Sequence, residues 1–233
     1  MHMAYTVCNL INKRYKKNIM ALQKLVYGVG INDADYKVTI VEELEPVNGK
    51  RRQREVWRCP FYNTWKRMLE RCYSDREKLR HPSYKNTICC EEWHTFSKFK
   101  KWMETQNWEN KQLDKDLLVI GNNVYSPETC YFIDKSINVF LIENYRGDYL
   151  PGVSYIKNRN KCYASRIYTS GQKTSLGVYF TEIEAHRAWQ AAKIEKFNNL
   201  IENELDSIVK NALLLHRDKI LNDYINNLPT TNL

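Results

Sequence analysis

The segment from 147 to 198 leaves this chain few ways to fold. Three short runs, Gly152-Val-Ser-Tyr155, Lys161-Cys-Tyr-Ala-Ser-Arg-Ile-Tyr168 and Leu176-Gly-Val-Tyr-Phe-Thr181, are separated by turn residues that include Ser170-Gly-Gln-Lys173. Their length and β-branched or aromatic content predict strands. Thr181-Glu-Ile-Glu184 then has the spacing of a capping box, in which threonine and glutamate side chains satisfy each other's backbone amides. Ala185, Ala188, Trp189, Ala192 and Phe197 follow on one helical face, and the alanines are small enough to let the helix lie close on a sheet. The segment therefore predicts a three-stranded antiparallel sheet covered on one side by one helix.

The uncovered side carries the chemistry. Residues 145–180 hold six cationic side chains, Arg146, Lys157, Arg159, Lys161, Arg166 and Lys173, against one acid, Asp148, a net of +5. Strict alternation places Lys161, Tyr163, Ser165 and Ile167 on one face of the central strand and Cys162, Ala164, Arg166 and Tyr168 on the other. Which face meets the helix stays open until bulges are known. A small basic sheet fits the major groove of B-DNA, where arginine bonds guanine edges and lysine or tyrosine holds phosphates. The residues expected to contact double-stranded DNA are Arg146, Tyr155, Lys157, Arg159, Lys161, Tyr163, Arg166, Tyr168 and Lys173. The formal charge of +9 over 233 residues and pI near 9.1 favour the same polyanionic partner. The competing reading is an ordinary α+β module with a basic solvent face.

The rest of the chain supplies a second body. Lys37-Val-Thr-Ile-Val41 and a segment near Glu55-Val-Trp57 read as strands joined through Pro46-Val-Asn-Gly49. The intervening Lys50-Arg-Arg-Gln-Arg54 is equally a solvated hairpin arm or a phosphate-contacting one. Leu22, Leu25 and Val26 suggest a short helix ending at Gly28. Phe61, Trp65, Met68, Leu69 and Cys72 make one helical stripe, and Phe96, Phe99, Trp102 and Met103 another. Helical spacing makes most tryptophans core residues rather than base-stacking ones. Leu113 to Leu117 reads as a strand, and Leu200 to Leu228 as further helices that pack within the chain or pair with a second copy. The compositional break near 143–148 divides the chain into an N-terminal extension with a hairpin (1–56), a first domain (57–143), the sheet domain (147–198) and a helical tail (199–233). No run reaches the roughly 18 to 20 apolar residues of a membrane helix. Seven cysteines without framework spacing indicate a reducing, cytoplasmic setting.

Gly152-Val, Tyr163-Ala-Ser-Arg-Ile, Leu176-Gly-Val-Tyr-Phe-Thr, Glu184-Ala and Ala188-Trp-Gln-Ala-Ala192 resemble, in order, the plant ethylene-response-factor (APETALA-two) DNA-binding domain. That likeness implies a sheet that reads the major groove, although Ser154-Tyr155 stand where the plant domains usually carry arginines. Upstream, Trp65-Lys-Arg-Met-Leu-Glu-Arg-Cys-Tyr73, His81-Pro-Ser-Tyr84, Ile88-Cys-Cys-Glu-Glu-Trp93, Leu113-Asp-Lys-Asp116, Tyr125-Ser-Pro-Glu-Thr-Cys130 and Ile137-Asn138 resemble phage-encoded HNH-like proteins, which often carry such a domain behind them. The resemblance implies an α+β protein with an HNH-like, ββα-containing N-terminal domain. It also implies a homing or HNH-type endonuclease at work in a bacterial host cell.

Such a nuclease holds one magnesium or manganese ion, and a strand histidine deprotonates the attacking water. Here Lys115 falls in the histidine position, and lysine at its ordinary pKa near 10.4 is a poor base. Asp114 and Asp116, on one face of a strand, would hold the ion with help from Asn138. Their other reading is a pair of surface acids near a turn. Cys72, His81, Cys90 and Cys130, with Cys89 an alternative to Cys90, have the chemistry of a structural zinc site but lack knuckle spacing. A buried cysteine is as readily a small core residue. Two functions follow: a metal-dependent endonuclease, or a catalytically lapsed DNA binder acting as a regulator or as an inhibitor of a host system.

Overall fold

A computed structural model describes residues 25–141, 148–158, 160, 162–169 and 172–231. The chain is α+β, with small antiparallel sheets and six α-helices among the described residues. It divides into two units, 1–105 and 106–233.

In the first unit, β1 (Thr39–Val47) and β2 (Lys50–Arg58) form an antiparallel hairpin. Asn48 and Gly49 both have positive φ, as the two central residues of a tight hairpin turn require. Upstream, Tyr27 and Gly28 also have positive φ, and Val26 bridges Gly30. Residues 25–28 make a tight turn and are not helical, and Leu22 of the expected helix lies outside the described residues.

Helix α1 (Pro60–Tyr73) starts with proline where an amide would be unbonded anyway. It buries Trp65, Met68, Leu69 and Cys72. After the short α2 (Asp75–Arg80) and a two-residue strand β3 (Ile88–Cys89), α3 (Phe96–Met103) lays Phe96, Phe99 and Met103 on the same core. The Trp65 indole donates to the Trp93 carbonyl at 2.7 Å, and Trp93 packs edge-on to Phe99 at 5.1 Å. These aromatics are core, as their spacing indicated. A Cβ on Gly30 would lie 2.4 Å from the Leu69 side chain, so only glycine admits the approach of that backbone to α1. Asp33 then caps α3 from outside the helix, accepting the Ser97 amide at 2.8 Å.

The second unit begins with β4 (Gln112–Asp114) and, after a loop containing β5 (Val124–Tyr125), β6 (Tyr131–Ile133) antiparallel to it. Helix α4 (Lys135–Leu141) follows at once, giving the order ββα. Next come β7 (Val153–Tyr155), β8 (Tyr163–Thr169) and β9 (Gln172–Tyr179), hydrogen-bonded in that order as one antiparallel sheet. The capping box forms: the Thr181 hydroxyl accepts the Glu184 amide at 3.3 Å and Glu184 accepts the Thr181 amide at 3.1 Å. It starts α5 (Glu182–Asn203), and α6 (Ser207–Ile225) follows, capped by Asp206.

Helix α5 serves two partners. Its first half, with Ala185 and Trp189 fully buried, underlies the sheet. Its second half puts Phe197 and Ile201 into a core with Leu117, Ile133, Ile137 and Phe140 from the ββα element and Val209, Leu213 and Ile220 from α6. The tail helix thus packs within its own chain. The compositional break near 143–148 lies inside this second unit, and residues 142–147 fall outside the described ones. The buried Lys193 joins the two halves, donating to the Phe140 carbonyl at 2.6 Å with its ammonium 3.8 Å from the Phe140 ring centre. Beyond α6, Asn227 turns at positive φ and the chain returns along α5. There the buried Thr230 amide donates to His186 Nε2 at 3.0 Å, and Gln190 donates to the Leu228 carbonyl.

Candidate nucleic-acid interface

The geometry of the sheet turns on a bulge. Register runs Tyr163 to Tyr179, Ala164 to Val178 and Ser165 to Gly177, then shifts so that Arg166 faces Ser175 and Tyr168 faces Lys173. The extra residue is Leu176 of β9, which falls between the partners Gly177 and Ser175, while β8 runs without interruption against β7. Strict alternation puts Ser165 and Ile167 on one face of β8, and both are buried. On the other face Ala164 is buried, Arg166 is half-buried and Tyr168 is 61% exposed. β8 itself keeps the expected grouping of Tyr163 with Ser165 and Ile167, and of Ala164 with Arg166 and Tyr168.

Tyr163 pairs across strands with Tyr155, and their rings sit edge-on at 5.5 Å. Tyr149 stacks on Tyr155 at 6.0 Å and completes an aromatic cluster at this end of the sheet. The Arg166 guanidinium donates to the Ser154 hydroxyl at 3.1 Å, and its backbone amide donates to the Gly152 carbonyl at 2.9 Å. Farther along, the Lys173 ammonium lies 5.7 Å from the Tyr168 ring centre, a cation held against an exposed aromatic. Lys157 is exposed in the connection after β7. Arg146, Arg159 and Lys161 lie outside the described residues. Tyr149 and Ser154 escaped the sequence reading. The first is signalled by its place just before Pro-Gly-Val, the second only by cross-strand neighbours that register alone reveals.

Close packing beneath fixes the sheet. Gly152 has φ +78°, and a Cβ there would lie 2.2 Å from the Trp189 ring. His186 stacks on Trp189 at 5.2 Å and is fully buried. Its Nδ1 donates to the Pro151 carbonyl at 2.9 Å while Nε2 accepts from Thr230, which defines a neutral imidazole. Burial holds its pKa below the ordinary histidine value.

The expected ion site takes a different form. Strand β4 ends at Asp114, so Asp114 and Asp116 do not share a strand face: Asp114 is buried and the Asp116 side chain is 46% exposed. Strand pairing stops because Asp114 Oδ1 accepts the amides of Asp116, at 2.9 Å, and Leu117, at 2.6 Å, which bends the chain. Burial and the neighbouring Asp116 charge push the Asp114 carboxyl above the usual carboxylate value, against the pull of those amides. Lys115 is buried, and its ammonium donates to Asp116 Oδ1 and to the Asn122 carbonyl, each at 2.6 Å. The Asn122 amide closes the same loop by donating to the carbonyls of Lys115 and Val124. On α4, Asn138 donates to the Gln112 side chain at 2.8 Å; its own buried Oδ1 has no partner in the structure. Gln112 is another residue that strand spacing alone did not mark.

Of the four residues with zinc chemistry, Cys72, His81 and Cys90 belong to the first unit and Cys130 to the second. Cys72 is hydrogen-bonded to Cys89; that bond and burial raise the Cys72 thiol pKa, whereas the same bond lowers that of Cys89 against the effect of burial. His81 Nε2 lies 3.6 Å from Glu77, one turn back. Among the described residues no group of three or more His, Cys, Asp or Glu side chains is placed to hold a metal ion, and no helix is long and apolar enough to cross a membrane. Comparison with family models, with curated proteins and with solved structures found no match.

Proposed function

We propose that this chain binds double-stranded DNA through the β7–β8–β9 sheet, with Arg166 and Lys173 as the described cationic contacts and Tyr155, Tyr163 and Tyr168 flanking them. The observation that carries the proposal is the two-faced central strand: Ser165 and Ile167 are buried on one face, while on the other Tyr168 is exposed and Arg166 reaches Ser154. A sheet of three strands with its other face closed by a helix suits the major groove. The likeness to ethylene-response-factor domains supports the same use of the sheet. Fluorescence anisotropy with a labelled duplex tests it. Replacing Arg166 and Lys173 together by alanine should weaken binding about 10- to 100-fold and flatten its salt dependence. Equal affinity for the variant, or no binding by the wild type at low salt, rejects the proposal.

A second reading, DNA cleavage by an HNH-type site with a magnesium or manganese ion, draws on the ββα order and on the unpartnered Asn138 Oδ1. The other donors fit such an ion poorly. Asp114 holds backbone amides, Asp116 holds the Lys115 ammonium, and no histidine stands beside them in β4. Binding without cleavage, as in a regulator or inhibitor, is accordingly the reading put first. Incubation of supercoiled DNA with the protein and either metal decides between them: metal-dependent nicking by the wild type, abolished in Asp114→Ala, would reinstate the nuclease.

A further inference from the structure

We propose that the β1–β2 hairpin is a second duplex-binding element, with Lys50, Arg51 and Arg52 at its tip set on backbone phosphates in a DNA groove. The inference rests on the reading of the chain as a DNA-binding protein, but on other residues. Each strand is nine residues long, so the ribbon reaches roughly 30 Å. No residue of either strand is buried, and every residue of β2 except Arg58 is exposed. A two-stranded hairpin is marginal by itself, so an extended one with bare faces is suited to being covered by a partner.

The hairpin's charges identify the partner. Toward its base, acids and donors pair internally: Arg54 with Glu42 at 2.5 Å, Gln53 with Glu43 at 2.6 Å, and Arg58 with Glu55. Residues 46–52, around the Asn48-Gly49 turn, carry three cations and no acid. Charge thus collects at the leading end of a ribbon narrow enough for the major groove, which admits two strands side by side. Val47 and Val56, each 49% exposed, and the exposed Trp57 add apolar surface along the same arm. Basic at its tip, slender and wet on both faces, the hairpin matches a polyphosphate groove better than the apolar surface of a second copy.

Full-length protein carrying Lys50→Ser, Arg51→Ser and Arg52→Ser tests the arm, because those side chains are exposed and the turn and the Arg54–Glu42 pair remain. Duplex affinity should fall at least about 10-fold at low salt, and the slope of log K against log salt should shrink by about 2 to 3, near 0.9 for each phosphate lost. A charge-keeping variant, Arg51→Lys with Arg52→Lys, should keep the wild-type slope, which separates charge loss from hairpin collapse. The Arg166→Ala, Lys173→Ala protein is titrated beside them. If the wild type binds and the serine variant matches it in affinity and slope, the arm is rejected while the sheet stands. If the serine variant weakens and the sheet variant does not, the arm stands and the sheet is rejected. If the wild type binds no duplex, both fall.

Discussion

Lys115 shows how a residue can be chemically wrong for one role and well suited to another. It occupies the position that HNH resemblance reserves for a base, yet its ammonium is buried between Asp116 and the Asn122 carbonyl. Asn122 in turn bonds the Lys115 and Val124 carbonyls, so one buried cation ties both ends of the loop between β4 and β5. We predict that Lys115→Met lowers stability by about 1–3 kcal/mol, the cost of leaving a buried acceptor unpaired. Lys115→His should be similarly destabilised, being too short to reach both oxygens, and should gain no nicking activity. Urea denaturation and a plasmid assay check the two halves. A second residue-level prediction concerns His186 and His216, both held below the ordinary histidine pKa chiefly by burial. Neutral His186 keeps an acceptor for Thr230, and His216 Nε2 donates to the Leu117 carbonyl. Below about pH 6.5 the unfolded chain therefore takes up protons that the folded chain refuses. Stability from these residues is present above that value and is lost as pH falls toward the lower folded pKa. The urea midpoint should drop from about pH 7.5 to about pH 6; a midpoint that rises or stays level would reject the linkage.

Gly152 is where the sheet and its helix meet most closely. Its φ of +78° and the 2.2 Å that would separate a Cβ from Trp189 leave two independent obstacles to any side chain. Gly152→Ala should cost more than about 3 kcal/mol and abolish duplex binding with it. Thermal melting would show this, and a variant that melts within a few degrees of the wild type would mean that β7 can retreat from α5. The same elements show what the sequence discloses. Thr181 and Glu184 announce the start of α5 because a capping box is local chemistry. Asn48-Gly49 announces a hairpin because few residues accept two left-handed positions in succession. The bulge at Leu176 of β9 was not legible, since a period of two carries no sign of an inserted residue until the partner strand fixes register. The end of β4 was hidden for a similar reason: Asp114 reads as a strand acid, and only its bonds to the next amides reveal a turn. For the candidate ion site, residue types were visible in sequence, but the engagement of Asp116 by Lys115 was not.

Helix α5 reads in sequence as ending a domain near 198, with a separate tail after it, because its two halves obey different partners. Ala185 and Trp189 answer to the sheet, whereas Phe197 and Ile201 answer to β6, α4 and α6. A helix held on several sides shows no clean apolar stripe, so periodicity understates how much it buries. The consequence is cooperative. One helix is common to the β7–β8–β9 sheet and to the ββα element, and Lys193 pins it to the Phe140 carbonyl. We predict that Phe197→Ala, far from the sheet in sequence, costs about 3–5 kcal/mol as a core truncation. Hydrogen exchange should then show β7, β8 and β9 losing protection together with β4, β6 and α6, since no part of this unit has a core of its own without α5. Duplex binding should weaken at temperatures where the variant begins to open, and recover on cooling. If the three sheet strands kept wild-type protection while β4 and β6 opened, the sheet and its first helical turns would be a separate folding unit. The sheet's affinity for DNA would then be independent of everything packed behind residue 193.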